Sequence, residues 1–231
     1  MLLAQLEPVD ELAAGSGVLP DPIYLVGILV FLSLAPFIAI MVTSYVKLVV
    51  VLSLIRNALG IQQIPPNMVI NGLAIILSLY IMNPVIQDIF DVVQDQQVDA
   101  KDLDSMKAAA TEAKKPLRDF MLKHTTDRER AFFYNSAKQL WPPERSTDLK
   151  DDDLMVLVPA FTVSELTSAF KIGFLIYLPF IAIDIIVSNI LLALGMMMVS
   201  PMTISLPFKL LLFVVADGWT RLIHGLVLTY M

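Results

Sequence analysis

The chain has 231 residues, of which 57% are hydrophobic and only 16% charged, with a mean hydropathy of +0.72. Soluble domains carry about 25% charged residues, so this composition indicates a polytopic membrane protein with a modest soluble insert. A net charge of −6 without a basic stripe gives no footprint for nucleic acid, and zero cysteines exclude disulfides and Cys-based metal sites.

Residues 1–22 read as a short N-terminal tail. They hold Glu7, Asp10, Glu11 and Asp21, and end in the Pro20-Asp21-Pro22 turn. A secretory signal needs a positively charged n-region, which is missing here, so no cleaved signal is expected.

Residues 23–86 form the first hydrophobic hairpin. Ile23 to Ile55 is too long for one upright helix across a bilayer core, which takes about 20 residues. Pro36 is expected either to kink it or to separate an entry segment from the main helix. Arg56-Asn57-Ala58-Leu59-Gly60 supplies a C-terminal cation and a glycine stop. Gln62-Gln63-Ile64-Pro65-Pro66-Asn67 is a rigid turn, and Met68 to Ile86 is the returning apolar helix. Arg56, with Lys47 near it, marks the hairpin tip as cytoplasmic by the positive-inside rule, which places the tail and the insert on the other side.

Residues 87–153 differ in kind. They contain 26 of the 38 charged residues, 15 acidic and 11 basic. Leu117, Phe120, Met121, Phe132, Phe133, Leu140 and Trp141 recur at helical spacing, so a small soluble insert of about three helices is expected. Thr126-Asp127-Arg128-Glu129 fits a capping box, and Trp141-Pro142-Pro143 stops the helix that follows it. Asp88, Asp91, Asp95 and Asp99 fall near one face and read as a solvated acidic surface rather than a metal site. Asp148–Asp153 lacks the glycine and the final glutamate of a calcium loop and is read as an acidic linker.

Residues 154–231 form the second hydrophobic hairpin. Thr162-Val163-Ser164-Glu165 looks like another capping box, with Phe161 and Leu166 as its staple, so a helix is expected from about Val163 to Leu194, kinked at Pro179. Gly195 to Pro207 is read as the turn and Phe208 to Tyr230 as the return helix. The fold class expected is an all-α membrane protein: two long kinked helical hairpins flanking a small helical soluble insert.

No phosphate-binding loop, zinc spacing or activated nucleophile is present, and His124 and His224 sit in unrelated contexts, so no enzyme, cofactor or metal is expected. The informative residues are charges at membrane depth, where each costs about 2.5–3.5 kcal/mol on insertion scales and is paired or functional. Glu165 serves either as part of the cap or as a partner of Lys209, and Lys209 either snorkels to headgroups or meets Glu165, within a subunit or between neighbours. Asp217 and Arg221, four residues apart, can pair along one helix face. Asp184 has no evident partner in the sequence; it turns toward another subunit or lines a wet cavity. Met196-Met197-Met198 after Gly195 is either apolar packing or a flexible constriction that excludes water and ions.

These residues carry a family resemblance. Pro159-Ala160-Phe161-Thr162-Val163-Ser164-Glu165-Leu166, Ile172 to Phe180, Gly195-Met196-Met197-Met198 and Ile204-Ser205-Leu206-Pro207-Phe208-Lys209 resemble the FliP/SctR family of type III secretion export-gate proteins. Arg56 to Gly60 and Gln62 to Asn67 agree. Val199-Ser200-Pro201-Met202-Thr203 and the missing signal peptide resemble the virulence (injectisome) branch more than the flagellar one. The resemblance implies a homopentamer with SctS/FliQ-like and SctT/FliR-like subunits. Further expected partners are other export-apparatus and needle or rod proteins and secreted polypeptides. It implies a multi-pass protein of the bacterial inner membrane, with much of the assembly raised toward the periplasm. It also implies a pore gasket at Met196–Met198 and an intersubunit charge pair at Glu165 and Lys209. The function expected is therefore a protein-conducting channel for unfolded substrates. The alternatives are a proton-coupled or small-solute transporter titrating at Asp184 or Asp217, and a non-conducting assembly scaffold. Neither hairpin repeats the other, which counts against a carrier built from inverted repeats.

Overall fold

A computed structural model describes residues 22–61, 64–95 and 103–231; the expected tail up to residue 21, Gln62, Gln63 and Asp99 lie outside the described residues. Every element among them is a helix: α1 (Pro22–Val42), α2 (Tyr45–Ala58), α3 (Asn67–Asp95), α4 (Leu103–His124), α5 (Asp127–Leu140), α6 (Pro143–Ser146), α7 (Leu154–Ala193), α8 (Pro201–Val215) and α9 (Gly218–Leu228). α3, over Asn67–Gln94, and α7 are each long and apolar enough to cross a membrane, and the number of spans rises to four when broken helix pairs count as one span each. The chain is an all-α membrane protein.

Residues 1–39 and 40–231 separate as two compact units. The described part of the first is the start of α1, whose Leu29, Phe31, Leu32 and Phe37 are all exposed. A helix apolar on every side suits lipid or protein, not water. Pro36 stays inside α1, and the expected break comes instead at Thr43-Ser44. A proline costs one backbone hydrogen bond, whereas Thr and Ser offer the backbone competing partners. Here the Tyr45 amide lies 3.5 Å from Thr43 Oγ1, and Ser44 Oγ bonds Ser78 Oγ at 3.1 Å.

The second unit is organised on the pairing of α2 with α7. On α2 the buried positions are Lys47, Leu48, Val51, Leu52, Ile55 and Ala58, one stripe at helical spacing. On α7 the matching stripe is Leu157, Ala160, Phe161, Ser164, Glu165 and Ala169. α3 lies against α2 and adds Ile70 and Ala74 to the shared core. α4 packs on α3 and α7, and α5 on α7, with Phe120 and Met121 reaching the same core. Hydrogen bonds from the Thr126 amide and between the Thr126 and Ser164 hydroxyls, both 3.1 Å, fasten the α4–α5 corner to α7. The acidic linker is tied down by half-exposed pairs, Arg118 with Asp152 at 3.3 Å and Arg130 with Asp151 at 3.5 Å. Such pairs contribute little energy and mainly orient the segment.

Two helix boundaries in the second hairpin differ from expectation. α7 starts at Leu154 and runs through the Thr162–Glu165 motif unbroken. Thr162 caps nothing; its hydroxyl donates back to the Val158 carbonyl at 2.8 Å, the usual outlet for a threonine inside a helix. The apolar run from Leu154 to Phe161 buries part of its surface on α2, and that packing outweighs a capping signal worth about 1 kcal/mol. The turn is also shorter than expected: α8 begins at Pro201, a favoured first helical position, and carries Pro207 inside it. The return segment is then broken again, between α8 and α9, where Asp217 takes a left-handed conformation at φ 50°. At about 1.5 Å per residue, the 40 residues of α7 span about 60 Å, roughly twice a bilayer core.

Candidate functional site: two ion pairs and a methionine turn

Glu165 and Lys209 do not meet within the chain. Glu165 lies on the buried stripe of α7, 1% exposed, and faces Lys47 of α2, 3% exposed. Lys47 Nζ approaches Glu165 Oε1 at 2.8 Å. Tyr230 completes the cluster: its hydroxyl donates to Glu165 Oε2, and its ring lies under Lys47 Nζ, 4.0 Å from the centroid. The Ser44 carbonyl is 3.4 Å from the same hydroxyl. The carboxylate thus receives an ammonium and a phenol, and the ammonium receives a carboxylate and a π face. That satisfies both charges away from water, where an unpaired one would be costly.

Phe120 and His124 of α4 close the outer side, Phe120 stacked on the Tyr230 ring at 6.1 Å and His124 meeting it edge-on at 5.0 Å. Burial lowers the His124 pKa to about 4, with the neighbouring Lys47 and Lys123 ammonium groups adding to the effect. His124 is therefore neutral in the native protein at ordinary pH.

Lys209 has its own partner. It sits on the buried stripe of α8 with Ser205 and Phe213, and its Nζ lies 2.6 Å from Asp184 Oδ2 on α7. Ser205 Oγ donates to Asp184 Oδ1 at 2.6 Å. Asp184, without an evident sequence partner, is thus the residue that ties α7 to α8. Asp217 and Arg221 do not pair through their side chains; the Arg221 amide donates to the Asp217 carbonyl at 3.1 Å, and both side chains are exposed.

Two members of these clusters escaped sequence reasoning. Lys47, read with Arg56 as marking the cytoplasmic tip, is paired with Glu165 inside the chain. Its position on one helical stripe with Leu48, Val51, Leu52 and Ile55 was the available signal. Tyr230 carried none, because its role depends on α9 returning to α2 and α7.

Met196, Met197 and Met198 form the tip between α7 and α8. Gly195, at φ 73°, closes α7 with a Schellman motif: the Met196 amide donates to the Leu191 carbonyl at 2.9 Å, and the Gly195 amide to Leu192 at 3.1 Å. This end-cap fixes where the turn leaves the helix. The methionines fill no gap within the chain: Met197 is 83% and Met198 100% exposed. The apolar faces leading to them, including Ile186 and Ile190 on α7 and Phe208 and Leu211 on α8, are exposed too. Among the described residues no group of three or more His, Cys, Asp and Glu side chains is placed to hold a metal.

Comparison with known proteins gives these features a context. The model of the FliP family matches residues 28–226. Yop proteins translocation protein R of Yersinia pestis is 59% identical over 212 residues, covering 92% of this chain and 98% of its own. Hypersensitivity response secretion protein HrcR of Ralstonia nicotianae is 55% identical over 203 residues, covering 87% and 94%. Virulence protein YscR of Salmonella typhimurium is 51% identical over 218 residues, covering 92% and 99%. With near-complete coverage on both sides, the chain belongs to the FliP family, in the virulence type III secretion (SctR) branch.

Proposed function

We propose that this component of the type III secretion export apparatus builds the gate through which unfolded polypeptides cross the inner membrane. In this reading five copies, with smaller SctS/FliQ-like and SctT/FliR-like subunits, place their second hairpins around one axis. Met196–Met198 from each copy then converge as an apolar constriction. The observation that carries the reading is the methionine turn itself. Three consecutive flexible thioethers sit exposed at the tip of an apolar hairpin, held there by a glycine end-cap. A single chain in water or lipid gains nothing from that arrangement. Copies sharing an axis could close the methionines on one another, exclude ions by dewetting, and let them yield to a passing chain.

The exposed apolar faces of α7 and α8 are the surfaces that neighbours would cover. The length of α7 fits an assembly that extends beyond the bilayer toward the periplasm. Because Glu165 and Lys209 are taken within the chain by Lys47 and Asp184, an intersubunit role for them requires an exchange of partners on assembly. The test is ion leak. Met196–Met198 replaced together by glycine in an assembled complex should raise membrane conductance while the complex stays intact. An unchanged leak from an intact complex overturns the gasket.

A further inference from the structure

Besides the packing of α7 on α2, α8 of the second hairpin comes near the end of the first at Lys209. Lys209, 3% exposed, points its ammonium toward the end of α2 as well as toward Asp184. Its Nζ lies 3.8 Å from where a Cβ on Gly60 would stand, and Gly60 holds a φ of 73° that side chains disfavour. The carbonyl end of a helix attracts a cation, so the end of α2 is a natural seat for this ammonium. The junction of α2 and α3 is itself braced by Arg56, which donates to Asn67 Oδ1 and, at 3.4 Å, to the Pro65 carbonyl. Arg56, Gly60, Ile61, Pro66 and Asn67 also share a cavity of about 620 Å³ with Met202, the second residue of α8. Met202 follows the methionine turn by four residues.

We infer that the end of α2 at Gly60-Ile61 is the seat that positions the methionine turn, with Lys209 beside it. Asp184 binds Lys209, whose ammonium also lies beside Gly60, so the root of α8 is bonded to α7 and set against the end of α2. The cavity beside Met202 leaves the tip room to shift. Any opening at Met196–Met198 then moves α8 relative to Ile61, and a gate held at this seat stays shut. The inference deepens the gasket reading and rests on it.

The chain has no cysteine, so paired substitutions introduce its only thiols. The variant I61C/M202C, assembled in the full export complex, is treated with a short thiol-cleavable bis-methanethiosulfonate. The expected result is a crosslink within one chain, loss of secretion, a leak as low as in the untreated complex, and return of secretion on reduction. Each single-cysteine variant, treated alike, keeps secreting. Normal secretion through a fully crosslinked complex overturns the inference. So does absence of the crosslink from the assembled complex, since the seat is then not kept on assembly. The glycine replacement of Met196–Met198 in the same background reads the gasket separately. If it fails to raise the leak, the gasket falls and the seat with it; if it raises the leak while the crosslinked complex secretes normally, the gasket stands and the seat alone falls.

Discussion

Replacing Lys47 by methionine should be among the most damaging single changes in the second unit. The substitution keeps most of the stem volume and removes only the ammonium. It leaves the Glu165 carboxylate, 1% exposed, with the Tyr230 hydroxyl as its remaining donor, and it removes the cation over the Tyr230 ring. Breaking one side of a buried ion pair costs about 3–5 kcal/mol, because the surviving charge keeps its desolvation penalty without its partner. Glu165→Gln should cost a comparable amount, stranding Lys47. The double variant, Lys47→Met with Glu165→Gln, removes both charges and should cost less than either single change. The assay is thermal unfolding of the detergent-solubilised protein for all three variants. In a chain of this size about 1 kcal/mol moves Tm by roughly 2–4 °C, so each single variant should fall by about 6–20 °C. The double should recover much of that. Strictly additive losses in the cycle would refute the reasoning, since they would mean that the two charges do not interact.

His124 gives a pH dependence of definite sign. Its native pKa of about 4 lies below the ordinary 6.5, so between those values the unfolded chain binds a proton that the native chain does not. Stability should therefore fall as pH drops from 6.5 toward 4, and His124→Gln should flatten that slope in a Tm series; an equally steep slope in the variant would remove His124 from the account. The two glycine positions should move in opposite directions. Gly195→Ala forces a side chain into φ 73° and should cost about 1–2 kcal/mol. Gly225→Ala lies inside α9 with open space around it and should stabilise by about 0.5–1 kcal/mol, both read by Tm.

The sequence by itself determined the helical, membrane-embedded class and the family. Apolar runs longer than a bilayer core, glycine and proline punctuation and a block of charges are local signals, and they survive without knowledge of packing. Trp141-Pro142-Pro143 ended α5 as expected, and Gly60 and Gly195 ended α2 and α7, because end-caps are local chemistry too. Only the tertiary structure decided who partners whom. Glu165 looked like a helix cap because its three neighbours spell one, yet the stripe it shares with Phe161 and Ala169 buries it against Lys47. Lys209 found Asp184, 25 residues away, and Tyr230 found Glu165 across 65. Such pairs are set by which helix faces which, and helix-to-helix packing follows from the whole core rather than from any one motif. A charge on a buried stripe announces that a partner exists, and the fold alone names it.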